Sequence, residues 1–579
     1  MHTHQIQSVS PLVHPEDTSG KTILRKTDVE QFGEFLEDAS RMSGGNADAV
    51  VFPETEAQIC EYLTKIYQLK KTVTIAGNHT GLVGGAIPMG GEVLATHFMN
   101  QVFPQKNEKV LEIIQGKDEP TNLPYQFYLK STHENEILAV VPPGLRLGEF
   151  QKRIEEHSLF YPPDPTEWNA FLGATVSTNA SGARTFKYGA TRAYVQSLRT
   201  VLAHGSILHI ERGKTFANSL NQFEIHLSTH EKIKVVLPNL LMPSTKHAAG
   251  YFIKPQMDFI DLWIGSEGTL GVITQIELKL IPKPIAVMSA IVFFPRTSDA
   301  IHFVEDIRNH SHETWENKDP YGLDIRAIEY FDRESLNLLR KNTLGIRIPQ
   351  DSGSAIYFEQ ESVSTINRET LEEWMNPLFE NRSLTDQERQ NFQSHPFGKM
   401  ILLLQEKGVL DDLELAFPGE EKAGRRLKEF RHALPVKVNE IIGKYKRESS
   451  VSHLHKVGTD TATPDPSLSD MISLFEEKLK RSGIKYVIFG HIGNNHLHAN
   501  LLPKNETELK RAKEIYLELC LASVKMGGTV SAEHGIGKMK HSSLELLYGK
   551  NGLQKLASIK EAIDPYGILG RGNIFPMKI

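Results

Sequence analysis

Cysteine is nearly absent from this chain. Its 579 residues include only two, Cys60 and Cys520, too few for a disulfide framework, a thiolate zinc site or a four-cysteine iron–sulfur cluster. Each lies within an apolar pattern at helical spacing, so we expect both to be packing residues. A metal ion in this protein would therefore have to be held by histidine and carboxylate side chains.

Long apolar runs and an excess of one charge are also lacking. No apolar run reaches the roughly 18 residues of a transmembrane helix, and Met1 to Gln5 does not begin a secretory signal. The balance of 65 Lys+Arg against 71 Asp+Glu gives no electrostatic footprint for nucleic acid. We expect a cytoplasmic protein and leave open a peripheral contact with the inner face of a membrane.

The composition and the pattern of predicted elements change along the chain, and these changes predict its domains. Residues 1–45 are mixed and polar, and we interpret them as a lead-in that packs on the surface. Strands and helices alternate over residues 46–283, as in an α+β domain. Residues 284–528 form a second predicted domain, and residues 529–579 a C-terminal segment.

Local patterns predict several individual elements. Apolar alternation and short β-branched runs predict strands at 49–53, 73–76, 93–96, 287–294 and 355–361. Helical periodicity predicts helices at 54–70 and 505–526. Residues 486–501 are typical of two strands joined by a Gly493-Asn494-Asn495 turn.

Three glycine-rich segments carry the first functional signal. They are Gly77-Asn78-His79-Thr80-Gly81 with Gly84-Gly85, the small-residue run from Gly173 to Gly182, and the run from Ile264 to Thr274. Glycine lets successive backbone amides approach an anion, and small residues let backbone pack against a flat ligand. Singly, each is equally well explained by a tight turn or a closely packed helix.

Histidines near the C-terminal end carry the second signal. His491 and His498 flank the predicted hairpin turn, whose facing strands can bring their rings together. Glu533 and His534 follow in a Ser-Ala-Glu-His-Gly-Ile-Gly stretch. Two imidazoles and a carboxylate suit zinc or another divalent ion with an open position for substrate. For any single histidine, a hydrogen-bonded structural role is the alternative.

In this order and spacing, the motifs resemble the vanillyl-alcohol-oxidase/p-cresol-methylhydroxylase flavoprotein superfamily. The closer likeness is to its FAD-linked 2-hydroxyacid dehydrogenases, such as D-lactate dehydrogenase, D-2-hydroxyglutarate dehydrogenase and the glycolate oxidase flavin subunit. The resemblance covers about Ala49 to Pro576. It implies an α+β fold with a two-part FAD-binding domain, an α+β substrate domain with an antiparallel sheet, and a C-terminal segment that returns to the flavin site.

The resemblance assigns the glycine-rich segments to FAD. The pyrophosphate loop would comprise Gly77, Asn78, His79, Thr80, Gly81, Gly84 and Gly85. The adenosine and isoalloxazine channel would be lined by Pro163, Asp164, Gly173, Ala174, Ser177, Thr178, Asn179 and Gly182. The adenine and ribose end would contact Glu267, Gly268, Gly271, Val272 and Ile273.

His79 departs from the family pattern, because many relatives have glycine there. Some members of the superfamily carry a histidine near this point that is bonded covalently to the flavin. We interpret His79 as a loop histidine that donates to phosphate, and the covalent bond is the alternative.

The same resemblance implies that His491, His498 and Glu533 are metal ligands and that His534 is the catalytic base. Asn494-Asn495-His496 stands where Asp-Gly-Asn is common, which puts the turn geometry in doubt. We interpret His496 as a surface imidazole rather than an extra ligand.

A carboxylate anchor is also needed. Arg431 resembles the family arginine that takes the substrate carboxylate, since a guanidinium can hold it bidentately. A solvated arginine on a helix surface is the alternative. Lys456 is a weaker second candidate, for which a solvated lysine is the alternative.

The implied reaction is oxidation of a D-lactate-like D-2-hydroxy acid to the 2-oxo acid, with hydride transfer to flavin N5 and proton transfer to His534. Two alternatives stand beside it. One is a transferase like alkyl-dihydroxyacetonephosphate synthase, without net oxidation, and the other is a non-catalytic subunit of a flavin dehydrogenase complex. The expected partners are the hydroxy acid, an electron acceptor (quinone, electron-transfer protein or oxygen) and a second copy of the chain.

Overall fold

The computed structural model describes the chain except residues 1–5, 13–21, 107, 228–230, 341–344, 381, 412, 450, 452 and 578–579. Residues 1–5, on which the expectation about a secretory signal rested, therefore lie outside the described residues. The chain divides into two compact units. The first comprises Met1–Ser181, Ala190–Pro282 and Thr529–Ile579, and the second comprises Gly182–Gly189 and Lys283–Gly528.

Within the described residues, every helix is too short or too polar to cross a lipid bilayer.

A nine-stranded sheet forms the largest part of the first unit. Across the sheet its strands are Lys232–Val236, Gln222–His226, Ile6–Val9, Ile207–Glu211, Val195–Val201, Val272–Lys279, Ile137–Val141, Pro124–Ser131 and Val110–Lys117. Only the pair Ile6–Val9 and Gln222–His226 is parallel. The N-terminal stretch was expected on the surface, but this interior strand buries Ile6.

A four-stranded sheet positions the first glycine-rich loop. Its strands, in order, are Leu24–Lys26, Ala49–Phe52, Glu92–Ala95 and Val73–Ala76. The last three are parallel and mostly buried, so Val73–Ala76 delivers Gly77 at the carboxyl end of a parallel strand. The helix before it, Glu56–Leu69, begins with a capping box of Thr55 and Gln58.

The remaining elements of the first unit are short or terminal. Two two-residue strands, Leu159–Phe160 and Ile281–Pro282, pair with each other. The other helices are Leu147–Glu156, Leu172–Ser177, Ile260–Trp263 and His541–Ile563, the last kinked at Gly549.

The second unit is built on an antiparallel sheet covered by helices on both faces. Its strands are Leu413–Ala416, Ala286–Phe294, Ser354–Ser362, Asp324–Asp332, Tyr486–Gly490, His496–Leu501 and Val457–Gly458, with Thr461–Ala462 also paired to His496–Leu501. Alternate residues of Ala286–Phe294 enter two separate buried clusters, so both faces are apolar. The helices are Thr185–Tyr188, Thr297–Asn317, Arg333–Leu339, Arg368–Phe379, Asp386–Gln393, Pro396–Glu406, Glu421–Glu448, Leu468–Ser482 and Glu506–Lys525.

The predictions of fold class and of the local elements are confirmed. The fold is α+β with an antiparallel sheet in the second unit, and the predicted strands and both predicted helices occur within two residues of their expected bounds. Cys520 is buried and Cys60 half-buried, each on a helix, and neither forms a disulfide.

Candidate active site

The loop from Asn78 to Gly85 in the first unit offers a row of backbone donors. None of its amides donates a hydrogen bond to any residue that the structure describes. Gly77 at its start lies so close to Ala174 that an added Cβ would come within 3.1 Å of the alanine Cβ. Such a run of amides, brought against a small-residue helix, fits the pyrophosphate expected here.

The second and third glycine-rich segments are joined through their backbones. The Gly265 amide donates to the Val176 carbonyl at 3.0 Å, and the Glu267 amide donates to the Ser177 carbonyl at 2.8 Å. The small-residue run is the short helix Leu172–Ser177. Gly173 is required there, because a Cβ would lie 2.6 Å from Cβ of Pro143.

Glu267 ties the third segment to the C-terminal stretch of the same unit. It adopts a left-handed backbone with φ of 52°, and its carboxylate accepts from the amides of Ile536 at 2.8 Å and Gly537 at 2.6 Å. Burial raises the pKa of its carboxyl group, while these two amides oppose the rise. Glu267 was expected to contact a ligand, and in the structure it holds the C-terminal segment.

Lys538 completes the connection to the first loop. Its ammonium donates to the carbonyls of Gly84 at 3.3 Å and Gly85 at 3.2 Å, and to Oδ1 of Asn573 at 2.5 Å. Burial lowers its pKa to about 8, and the Glu267 carboxylate acts in the opposite direction. The three glycine-rich segments and the C-terminal stretch therefore form one connected site in the first unit.

The other residues expected to bind the flavin lie at several places. Asp164 is buried near Trp168, whose Nε1 donates to Oδ1 of Asp164 at 3.4 Å, and the Pro163 carbonyl accepts from Gln151 at 2.8 Å. Val272 is in the core of the nine-stranded sheet with no exposed surface. Gly182 belongs to the second unit. Of the remaining expected contacts, Thr80 and Gly81 lie in the first loop. Thr178 and Asn179 follow the short helix. Gly268, Gly271 and Ile273 lie around the start of strand Val272–Lys279.

His79 occupies a left-handed backbone position, with φ of 52°. Its ring meets Phe35 edge-on with centroids 4.9 Å apart and stacks on His97 at 6.2 Å. Burial lowers the pKa of His79 to about 4. The imidazole is therefore neutral at neutral pH.

Glu533 and His534 lie together in the first unit. The Glu533 carboxylate is 2.8 Å from Nζ of Lys246 and accepts from Ser181 Oγ at 3.5 Å. Nε2 of His534 lies 3.4 Å from Oε1 of Glu533. His534 keeps 26% of its side chain exposed, so it is accessible to a proton donor from solution.

In the second unit, the hairpin brings three histidines together. Phe489 pairs with His498 across the strands, and the ring centroids of His491 and His498 are 6.1 Å apart. Nδ1 of His491 is 2.6 Å from Glu329 Oε1, and Nδ1 of His498 is 3.0 Å from the Thr459 carbonyl. An acceptor at Nδ1 places the proton there and the lone pair on Nε2, which is the usual arrangement of a metal-binding histidine.

The interpretation of His496 as a surface residue is wrong. Its side chain has no exposed surface, its Nε2 is 2.9 Å from Oδ1 of Asp460, and its ring centroid is 4.5 Å from that of His498. The doubt about the turn is resolved by Asn495, which adopts the left-handed conformation with φ of 53° that asparagine tolerates. Its side chain also bonds Arg308 at 2.6 Å and Asp465 at 2.6 Å.

Arg431 is buried on helix Glu421–Glu448, so the solvated alternative is excluded. Its Nε lies 3.5 Å from Oε1 of Glu329, the same oxygen that contacts His491. One carboxylate therefore connects the candidate substrate anchor to the histidine cluster. Lys456 is also not solvated, since burial lowers the pKa of its ammonium group.

Several functional side chains escaped the sequence analysis. Glu329 and Lys246 lie in no motif, and Lys538 and Asp460 lie next to motif residues but were assigned no role. Glu329 alone gives a usable signal, because it is an acidic residue in the middle of the apolar run of strand Asp324–Asp332.

Comparison with known proteins agrees with these features. A family model described as "FAD linked oxidases, C-terminal domain" matches residues 283–574, and one described as "FAD binding domain" matches residues 128–211.

Three relatives match over most of their lengths. The chain is 26% identical to the glycolate oxidase subunit GlcD of Bacillus subtilis, covering 93% of this chain and 91% of that protein. It is 25% identical to a D-lactate dehydrogenase of Anaerostipes hadrus, covering 99% of each. It is also 25% identical to the mitochondrial D-2-hydroxyglutarate dehydrogenase of Bos taurus, covering 95% of this chain and 81% of that protein.

A solved structure of alkyldihydroxyacetonephosphate synthase has a TM-score of 0.54 at 16% identity, covering 98% of this chain and 87% of that chain. At this identity the likeness shows the fold alone.

Proposed function

The chain belongs to the FAD linked oxidases, and from this membership we propose that it oxidises a D-2-hydroxy acid to the corresponding 2-oxo acid. It is an FAD-linked oxidoreductase, and relatives named as D-lactate and D-2-hydroxyglutarate dehydrogenases support the substrate class. The observation that carries the proposal is Glu329, whose carboxylate connects Arg431 to His491. A guanidinium, which can bind a carboxylate, lies near the histidine cluster, and this supports the proposal.

FAD, when bound, supplies a two-electron acceptor at N5. The free amides from Asn78 to Gly85 would hold its pyrophosphate, since successive backbone N–H groups form a concave anion site. Lys538 stabilises this loop by donating hydrogen bonds to the Gly84 and Gly85 carbonyls. The residues present therefore fit the cofactor.

Arg431 would bind the carboxylate of the substrate. Glu329 contacts its Nε, and a guanidinium carries four further N–H donors on its two Nη atoms, in a geometry that matches a carboxylate. Lys456 is the second candidate, and burial, which lowers its pKa, creates an environment in which an anionic ligand would stabilise the charged form.

His534 would take the proton of the substrate hydroxyl. Its exposed edge suits exchange with solvent, and general-base help of this kind typically contributes about 10²–10⁴-fold. His491 and His498 would hold a divalent ion such as zinc, which supplies Lewis-acid polarisation of an oxygen, and Glu533 remains a predicted ligand.

Anaerobic mixing with a panel of D- and L-2-hydroxy acids tests the proposal. We expect one D-acid to bleach the flavin absorbance, and His534→Ala to slow this bleaching at least about 100-fold while the flavin stays bound. The matched control is His133→Ala, an exposed histidine of the same unit, which should leave the rate unchanged. An unbleached flavin with every acid would contradict the proposal and favour the transferase alternative.

The proposal also covers the cellular compartment, the electron acceptor and the oligomeric state. The two cysteines, neither of which forms a disulfide, suit a reducing cytoplasm and cannot ligate an iron–sulfur cluster alone. Electrons would therefore leave to a quinone, an electron-transfer protein or oxygen. We also propose a homo-oligomer and leave open a peripheral contact with the inner face of a membrane.

A further inference from the structure

His496 has an environment that a merely structural histidine does not need. Its side chain is completely buried beside two other imidazoles. Its ring centroid lies 4.5 Å from that of His498 and 5.4 Å from that of His491. One potential ligand nitrogen from each of the three rings lies within 4.8 Å of the others.

His491 and His498 each meet an acceptor through Nδ1, and Nε2 of His496 lies near a carboxylate. His491 meets the Glu329 carboxylate through Nδ1 at 2.6 Å, and His498 meets the Thr459 carbonyl through Nδ1 at 3.0 Å. His496 meets the Asp460 carboxylate through the other nitrogen, Nε2, at 2.9 Å.

We propose that His496 is a third imidazole ligand of a divalent ion held by His491 and His498. This deepens the proposed function, on whose divalent ion it rests. Metal–nitrogen bonds of about 2.0–2.1 Å require ligand atoms within about 4 Å of one another, so small side-chain rotations close the set. The ion would also add positive charge beside the buried carboxylates of Glu329 and Asp460.

The third imidazole changes which ion the site selects. An asparagine at this position offers a hard oxygen, whereas imidazole favours zinc, cobalt and nickel over manganese. We therefore expect this chain to discriminate more strongly for Zn²⁺ against Mn²⁺ than a variant with asparagine at position 496.

The test counts imidazoles around zinc in the full-length flavoprotein, stripped of metal and reloaded with one Zn²⁺ per chain. Zinc K-edge X-ray absorption should show three imidazoles in the wild type and two in His496→Asn. Chelator competition should show Zn²⁺ affinity at least about 10-fold weaker in the variant, with a smaller change for Mn²⁺. The matched control is His310→Asn, an exposed histidine of the same unit, which should change neither result.

Two imidazoles in the wild type, no bound zinc, or equal zinc affinities in wild type and His496→Asn would each overturn the inference. If His496→Asn does not fold, the wild-type count still decides. No substrate enters these measurements, so a failure of the flavin-bleaching assay overturns the proposed oxidation alone and leaves the ligand count standing.

Discussion

The ring of His97 lies in an aromatic environment that sets its charge. Its centroid is 5.2 Å from that of Phe35 and 5.0 Å from that of Phe171. Burial, reinforced by His79 and Arg146, lowers the pKa of His97 to about 4. Protonation of this side chain is therefore coupled to loss of the surrounding packing.

We expect this coupling to destabilise the protein in acid. Because the folded pKa lies below the unfolded value of about 6.5, the unfolded chain binds more protons between these pH values. The free energy of unfolding therefore falls as the pH falls through this window, by up to about 3 kcal/mol. Thermal unfolding from pH 7 to 4.5 should show a shallower decline in His97→Phe than in wild type. Parallel declines would contradict the prediction, and exposed His133→Phe is the control.

Gly537 has no room for a side chain. It has φ of 51°, and a Cβ would lie 2.1 Å from the Val83 carbonyl oxygen. We expect Gly537→Ala to lower the free energy of unfolding by about 3 kcal/mol or more, from backbone strain and overpacking together. Gly213→Ala, at φ of 79° with open space, isolates the strain at about 1 kcal/mol. Equal losses in urea unfolding would contradict the steric argument.

His79 provides a prediction about the cofactor linkage. Its ring packs on Phe35 and His97, which supports our interpretation of a non-covalent site. Acid denaturation should release FAD into the supernatant and leave a chain of unmodified mass by mass spectrometry. Flavin retained on the peptide that contains His79 would show the covalent alternative instead.

Residue roles were predictable only where a motif carried them. His491 and His498 follow from the hairpin pattern, because a turn relates nearby residues. The burial of His496 did not follow, because it depends on Asp460, which comes from a strand pair 36 residues earlier in the chain. Glu329 lies further away still, and its contact with Arg431 exists only after the sheet and helix have packed.

At the scale of elements, Ile6–Val9 is the strand with the largest consequence for the first unit. It lies between Ile207–Glu211 and Gln222–His226 in the nine-stranded sheet. Ile6 is 5% exposed, whereas Val9 at the other end is 37% exposed. The two ends of one strand therefore offer a matched comparison.

We expect Ile6→Asp to lower the free energy of unfolding by about 2–4 kcal/mol, because it buries a charge without a partner. Val9→Asp should lower it by less than about 1 kcal/mol, since the carboxylate can reach water. Urea unfolding of both variants measures the difference. Similar small losses would mean that this strand contributes little to the sheet.

The elements that sequence predicted are those whose signal is local. Helix Glu506–Lys525 was expected at 505–526 because its apolar stripe repeats within the helix itself. The strand Ile6–Val9 gave no such signal, since its partners are about 200 residues away. Sheet order in both units depends on pairings of this kind, which no short window of sequence contains.

At the scale of the whole molecule, the first unit needs the end of the chain. Lys538 and Asn573 bond the first glycine-rich loop, and the amides of Ile536 and Gly537 bond Glu267. We expect a chain that ends at Gly528 to be isolated without flavin absorbance, because these contacts are missing. A chain that lacks only residues 577–579 is the control and should keep one FAD per chain. Flavin bound stoichiometrically to the shorter chain would contradict the prediction.

Because the first unit is discontinuous in sequence, its cofactor site is complete only late in translation. Its second segment ends at Pro282 and its third begins at Thr529, so a ribosome must translate about 250 residues in between. At about 5–20 residues per second this takes about 10–50 s, during which the nascent cofactor site is incomplete. We therefore expect FAD to bind at the end of translation or later. A ribosome that stalls within the second unit would yield a nascent chain that cannot retain the cofactor.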